Sequence, residues 1–314
     1  MRSITKAGLA VGSALLLAAC SGGSGSGGTD SAAPQSASPA QSTPTRTAAP
    51  TPTRLPYGPV LSGAVDPVST ALGKVTSAKT LADLDTVLAE VATSAKSASL
   101  KLRTADQPPE VGIAQSDLAS ALTQLGTDMA KIQGDIKHKT VCGLGSGLAE
   151  VGQAAGLKAV TTALGKMTTA GYQTTFAVPQ TPAAQNRTLD NGTLVRKGRL
   201  NGQGVFKVDN GGSSDAVVTL ALDGKAVNSV YVAKGSNASI EGVQDGTYEV
   251  YFSGGADWDN DAKAFTQNCR FTKFQDTLAF ETGRTATSWS ITLKPVVGGN
   301  AKTEDVDQQN FPQP

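Results

Sequence analysis

Apolar residues recur every three or four positions through the first half of the chain, and this spacing places them along one face of a helix. The clearest stripe comprises Leu118, Leu122, Leu125, Met129, Ile132 and Ile136. A second stripe runs from Leu81 to Ala95, and a shorter one lies between Val65 and Val75. One or two more helices are predicted between Leu148 and Met167. Because the connections are short, neighbouring helices should run antiparallel, which predicts a bundle of about four helices over residues 57–175.

Proline and glycine residues indicate where the predicted helices begin and end. Pro67 should stand near the first turn of the first helix, where a missing N–H is tolerated. Pro108-Pro109 should separate the second and third helices. The glycine-rich run 143–148 lacks the strand and the lysine of a phosphate loop, so it predicts a flexible break between helices. A further break is expected at Gly156.

The second half of the chain changes to short β-rich runs separated by turns. Asp223-Gly224 and Asp245-Gly246 each lie between two such runs, where glycine accepts the positive φ of a hairpin turn. The predicted strands are 205–208, 216–222, 227–232, 240–243, 248–252, 271–274, 277–280 and 289–293. No crossover helices separate them, so we expect an antiparallel β-sandwich over residues 187–297, followed by a loose polar tail over 298–314. The predicted fold class is therefore α+β with two domains, a helical bundle and then a sandwich.

The first 56 residues do not follow either pattern. Arg2 and Lys6 precede an apolar stretch that ends in Leu17-Ala18-Ala19-Cys20. This arrangement resembles the signal peptide and lipobox of bacterial lipoproteins, and the stretch is too short to span a membrane. The resemblance implies that residues 1–19 are removed and that a diacylglycerol thioether forms on Cys20, which would anchor the chain to the extracytoplasmic face of the cell membrane. Residues 20–56 then form a Ser, Gly, Thr and Pro-rich linker that is predicted to be disordered.

Charge narrows the choice of partners. The chain carries 27 basic and 26 acidic residues, a formal net charge of +1. Such an even balance gives no electrostatic footprint for nucleic acid. The expected partners are the membrane, through the lipid, and another envelope protein or a wall polymer. No cofactor is predicted.

The β half also carries a family resemblance. The run Val243-Gln244-Asp245-Gly246-Thr247-Tyr248-Glu249-Val250 is similar to the turn and strand of immunoglobulin-like, transthyretin-like and PEGA-like sandwiches. Val250 stands where a true immunoglobulin domain would have its cysteine. The region 206–300 more broadly resembles a domain of uncharacterised actinobacterial lipoproteins, on stretches that include 215–218, Tyr231-Val232, 257–259, Phe265, Cys269 and 297–300. The resemblance implies a sandwich fold and an envelope location, with no assigned activity.

Two cysteines remain if Cys20 is acylated. An exported protein lies in an oxidising compartment, so Cys142 and Cys269 are candidates for a disulfide that joins the two domains. The alternative is two separately buried free cysteines, since cysteine is among the most buried residue types.

Few residues suggest catalysis. His138 is the single histidine and should lie at the end of the third helix, where a cation is favourable. It is four positions before Cys142, but a nucleophile pair of these two residues also needs a third group to orient the histidine, and the sequence indicates none. Asp257-Trp258-Asp259 begins the densest acidic cluster, but Ala262 stands where a calcium loop requires glycine, so no metal site is predicted. Asp257, Trp258 and Asp259 are instead candidate ligand contacts on a loop. Alternation places Trp289 on a buried face.

These observations predict an anchored envelope lipoprotein that is not an enzyme and that serves in binding or assembly. Two alternatives remain: a receptor that captures a solute for a transporter, and a cell-wall hydrolase that uses Asp257 and Asp259 as its carboxyl pair.

Overall fold

Five helices build the first half of the described chain. The computed structural model describes residues 56–294 and 302–314. The leader, Cys20 and the linker up to residue 55 lie outside these ranges. The helices are α1 (Tyr57–Gly73), α2 (Leu81–Thr104), α3 (Gly112–Lys137), α4 (Leu144–Gln153) and α5 (Ala155–Thr169). Within the described ranges, none of them is long and apolar enough to cross a membrane.

Local sequence explains where α2 begins. The Thr80 hydroxyl accepts a hydrogen bond from the Asp83 N–H, and the Asp83 carboxylate accepts one from the Thr80 N–H. This reciprocal capping box satisfies two backbone donors that a helix start otherwise leaves free. The predicted stripes are the buried face: Leu84, Leu88, Leu118, Leu122 and Leu125 are fully buried in one continuous core.

Three local predictions for the bundle were wrong. Pro67 lies inside α1 because that helix already begins at Tyr57. The glycine-rich run does not break the helices but forms the start of α4, where a Cβ on Gly147 would lie 2.7 Å from Leu84 Cδ2. The later break falls at Ala154, and Gly156 instead lets α5 approach the backbone of α3.

The second half forms two sheets. The strands are β1 (Leu194–Arg196), β2 (Gly204–Asn210), β3 (Asp215–Leu222), β4 (Lys225–Val232), β5 (Ser236–Val243), β6 (Gly246–Asp259), β7 (Ala264–Phe274), β8 (Leu278–Phe280), β9 (Ser288–Thr292) and β10 (Thr303–Asp305). The larger sheet has the order β1-β4-β3-β6-β7-β10, with β8 also paired to β6. The smaller sheet has the order β5-β2-β9. This α+β arrangement, helices first and a sandwich-like pair of sheets second, confirms the predicted fold class.

The larger sheet is buried on both faces. One face packs against the smaller sheet through residues such as Phe206, Val218 and Tyr248. The opposite face carries a second cluster that contains Tyr231, Trp258 and Phe265. The sandwich therefore holds two apolar layers, and the second of them lies toward the helical half.

Strand pairing overturns several further expectations. Asp245-Gly246 is not a hairpin turn, because β5 and β6 lie in different sheets and the turn connects one sheet to the other. The pairing of β9 with β2 is parallel, and β9 is an edge strand on which Trp289 is 39% exposed rather than buried. The acidic cluster is not a loop, because β6 continues through Asp259. The tail is not loose from Lys302 onward, since β10 pairs with β7 and Phe311 packs against Tyr251 and Phe271. Phe311 is the buried aromatic residue of this segment, and Val306 packs against the same apolar cluster.

Candidate functional site

The two halves of the described chain are joined by a short backbone pairing. The Cys142 and Gly143 N–H groups both donate to the Thr266 carbonyl, at 2.9 and 3.1 Å. In return, Asn268 N–H donates to Thr140 O and Cys269 N–H donates to Lys139 O, each at 2.9 Å. Because these bonds run between the α3–α4 connection and β7, the helical half is fixed to the sheet at this point. We call this set of contacts the junction.

A disulfide closes the junction. Cys142 is bonded to Cys269, with the two Cα atoms 6.4 Å apart and 127 positions apart in sequence. The sulfur of Cys142 is therefore not a free thiol. His138 caps the end of α3, where its Nδ1 lies 2.7 Å from the Gly134 carbonyl oxygen, so it does not form a nucleophile pair with Cys142 here.

The acidic residues that the sequence analysis singled out lie next to the junction and form ion pairs with an arginine. The Asp257 carboxylate accepts hydrogen bonds from the Arg187 backbone N–H, Nε and Nη2, at 2.8, 2.9 and 2.9 Å. Arg187 Nη1 also contacts Asp259 Oδ2 at 3.1 Å. The side chain of Asp257 is 1% exposed, so a buried charge is matched by a guanidinium in the bidentate geometry that arginine provides. We call Arg187, Asp257 and Asp259 the clasp.

Hydroxyl groups extend the clasp into the helical half. Thr266 on β7 donates to Asp257 Oδ2, and its hydroxyl lies 2.7 Å from that of Ser146 on α4. Because an ionised carboxylate only accepts, the single Thr266 proton points to Asp257 and Ser146 must donate to Thr266. The clasp thus joins the segment before β1, two strands and a helix in one polar network.

The environment of the clasp lowers the pKa of both carboxyl groups. The Arg187 hydrogen bonds are the main cause that lowers the pKa of Asp257 to about 2, against the opposing effect of burial. The pKa of Asp259 is also lowered, chiefly by hydrogen bonds from the backbone of the turn that follows, with Ala262 first. Both groups are ionised at neutral pH, and both accept hydrogen bonds from neighbouring residues of the protein.

Trp258 lies in the core rather than on a contact surface. It is 1% exposed and packs edge-on against Tyr231 and Phe265, with ring centroids 6.2 and 5.1 Å away. The prediction that it contacts a ligand was therefore wrong, because β6 extends through this position and turns the indole inward. Asp257 is excluded as a surface contact for the same reason, while Asp259 remains partly exposed. No group of three or more acidic, cysteine or histidine side chains in residues 56–294 and 302–314 could hold a metal ion.

The open surface beside the clasp is a polar groove of about 660 Å³. It runs across one end of β3, β4, β6 and β7, and the segment that leads into β1 forms its wall. We call it the groove. Its lining residues are Asn186, Thr188, Leu189, Ser213, Ser214, Asp215, Tyr231, Ala233, Lys234, Gly255, Ala256, Asn268 and Arg270.

A β-bulge shapes the floor of the groove. The register of β6 against β7 shifts between Gly254 and Ala256. The extra residue is on β7, and a Cβ on Gly255 of β6 would lie 2.6 Å from Phe265 Cβ and 2.7 Å from the Gln267 carbonyl oxygen, so only glycine fits opposite this bulge. Asn268 has a positive φ of 52° beside it. Bulges of this kind re-aim side chains at the end of a sheet, and here the bulge brings Asn268 to the open side.

One acidic residue in the groove is fixed by its neighbours. The Tyr231 hydroxyl donates to Asp215 Oδ2, and the Lys234 backbone N–H donates to Asp215 Oδ1 at 2.9 Å. Burial raises the pKa of Tyr231, and its bond to Asp215 raises it further, so the phenol keeps its proton and continues to donate.

Five other polar side chains of the groove have no hydrogen-bond partner in the described ranges. They are Asn186, Thr188, Ser213, Ser214 and Asn268, all of them exposed. Sequence reasoning missed the groove because its residues come from five separate segments. The single local signal was Gly254-Gly255, since glycine inside a strand pattern can mark a close approach of another backbone.

Comparison with known proteins adds no relative to this picture. No family model matches the chain, and searches of curated proteins and of solved structures find no match.

Proposed function

We propose that this chain is a lipid-anchored protein of the cell envelope whose role is binding rather than catalysis, with the groove as its binding site. The observation that carries the proposal is a concave surface with five uncommitted polar side chains, held on a rigid framework by the disulfide and the clasp. The floor of the groove is formed by strands, which keep their geometry without reorganisation, and this favours binding. The membrane location rests on the leader and Cys20.

The state of the carboxyl groups supports a binding role over hydrolysis. A glycoside hydrolase needs one carboxylic acid that holds its proton near neutral pH. Asp257 and Asp259 both have lowered pKa values, and Arg187 bonds to both. The Asp257 oxygens are further occupied by Thr266 and by backbone. These two carboxylates therefore stabilise the fold through their hydrogen bonds.

The anchor is tested by mass spectrometry and cell fractionation. We expect the mature protein to begin at Cys20, with its mass increased by a diacylglycerol group that is joined to the cysteine sulfur as a thioether. We expect Cys20→Ser to move the protein from the membrane fraction to the soluble extracytoplasmic fraction. An unmodified N-terminus, or an unchanged distribution of Cys20→Ser, would refute the anchor and leave the groove untouched.

The binding role is tested by capture from envelope extract. Full-length protein in detergent is compared with a groove-filling variant, Thr188→Tyr with Ser213→Tyr. Its matched control, Thr162→Tyr with Ser290→Tyr, places the same side chains at exposed positions away from the groove. We expect wild type and control to retain the same envelope component and the groove-filling variant to lose it. Equal retention by all three proteins would overturn the groove as the binding site.

A further inference from the structure

Two cations in the groove have no partner. The side chains of Lys234 and Arg270 are exposed, and neither forms a hydrogen bond or ion pair with any residue in 56–294 or 302–314. Lys234 follows the end of β4, and Arg270 lies in β7 opposite Gly254 of β6. They therefore reach the groove from different strands of the same sheet.

Asp215, the one carboxylate among the described residues that line the groove, forms no ion pair with either cation. Both Asp215 oxygens are occupied, one by the Tyr231 hydroxyl and the other by the backbone N–H of Lys234. One acidic and two basic groups leave a formal charge of +1 at the groove. The groove side chains that have no partner in the described ranges are thus positively charged or neutral.

The geometry points to an anionic saccharide as the ligand, and this inference rests on the proposed binding function. Hydroxyl and amide side chains such as Ser213, Ser214 and Asn268 suit a ligand rich in hydroxyl groups, because each can both donate and accept. The apolar contributions, Leu189, Ala233 and Ala256, are small and scattered. The buried ring of Tyr231 offers no exposed face on which a neutral sugar could stack. The affinity must therefore come from charge.

The acidic group of that ligand can be a carboxylate or a phosphate. The planar guanidinium of Arg270 can bind either in a bidentate manner, and the ammonium of Lys234 supplies a second point charge. A cavity of about 660 Å³ lies within the ordinary range of small-ligand sites, so it holds a few sugar units of a longer polymer rather than the whole chain.

The test is a titration of the full-length protein in detergent with three probes. The first is an oligogalacturonate, which carries carboxylates. The second is its methyl ester, which keeps the hydroxyl groups and removes the charge. The third is a poly(glycerol phosphate) oligomer, which replaces the carboxylates with phosphates. Calorimetry or a fluorescent tag on the probe measures affinity.

The variants separate the groove from general surface charge. Lys234→Ala with Arg270→Ala removes both groove cations. Lys225→Ala with Arg284→Ala removes one lysine and one arginine that are exposed elsewhere and have no side-chain partner in the described ranges, so the net charge changes equally.

We expect at least one acidic probe to bind wild type and the Lys225/Arg284 control alike. The methyl ester and the Lys234/Arg270 variant should each weaken that binding by about tenfold or more, as expected for the loss of charge-assisted hydrogen bonds. Raising the salt from 0.05 to 0.5 M should also weaken it, because the charges are exposed and screened. Tighter binding of the carboxylate or of the phosphate probe identifies which acid the groove prefers.

Three outcomes would overturn the inference. They are equal binding of the acid and its methyl ester, equal binding by the Lys234/Arg270 and control variants, and no binding of any probe. In each case the capture experiment decides about the proposed function. If the protein still captures an envelope component and the Thr188/Ser213 variant does not, the groove binds a ligand of another class. Failure of that capture would remove both.

Discussion

Removal of the disulfide should destabilise the protein substantially. The bond closes a loop of 127 positions between Cys142 and Cys269. In the chain-entropy description, closing a loop of that length in the unfolded state is worth about 5 kcal/mol at 25 °C. This figure is an upper value, because residual structure in the unfolded chain reduces the entropy that the bond removes. We expect Cys142→Ala with Cys269→Ala to lose about 3–5 kcal/mol, a large part of the stability of an ordinary domain.

The assay is urea unfolding followed by two signals. Tryptophan fluorescence reports the β half, where Trp258 is buried, and far-ultraviolet circular dichroism reports the helices. We expect both transitions to move to lower urea in the double variant. Wild type under reducing conditions should behave like the variant, and the reductant should not affect the variant itself.

A free energy of unfolding that falls by less than about 1 kcal/mol would show that the disulfide does not stabilise the protein as expected. The titration of two free thiols, from Cys142 and Cys269, in unfolded, unreduced wild-type protein would contradict the disulfide itself.

Other changes at the junction and tail have defined outcomes. Asp257→Asn should lower stability at pH 7 by about 2 kcal/mol, because the native pKa of about 2 lies below the unfolded value, and it should reduce the loss of stability that wild type shows between about pH 4 and pH 2 in acid titrations. Gly143→Ala should cost about 1–3 kcal/mol in urea unfolding, since its Cβ would lie 2.5 Å from Thr266 Cβ. Phe311→Ala should cost about 3 kcal/mol by the same measurement, because it removes a buried ring that packs on Tyr251 and Phe271.

Each of these has a control or a contrary result. Gly145→Ala is the control for Gly143, since nothing lies within 4 Å of its Cβ and alanine favours the helix. Equal effects of the two substitutions would contradict the close approach of α4 to β7. An acid transition that persists unchanged in Asp257→Asn would show that other groups control it. A neutral Phe311→Ala would mean that the tail does not contribute to the folded core.

The fold class was predictable because its signals are local. The three-and-four spacing of residues such as Leu118 and Leu122 places them on one helix face, and Asp223-Gly224 marks the β3–β4 hairpin without any knowledge of the partner strand. The same signal at Asp245-Gly246 was misleading, because β5 and β6 lie in different sheets. These features need only a few neighbouring residues to be recognised.

The site was less predictable because it depends on pairing over long distances. The stretch from Gly254 to Asp259 has the composition of a loop, yet pairing with β7 makes it strand and places Trp258 in the core. Alternation predicted a buried Trp289, but alternation cannot tell that β9 lies at a sheet edge. Arg187, far from Asp257 in sequence, gave no signal that it would be the partner of that carboxylate.

Hydrogen exchange of the full-length protein, measured with and without envelope extract, locates the surface that becomes bound. We expect slower exchange in the groove segments 186–190, 213–216, 231–235 and 267–271, and no such change in the Thr188/Ser213 groove-filling variant. Slower exchange confined to the helical half, or to the small sheet around Trp289, would contradict the assignment of the groove as the site of binding.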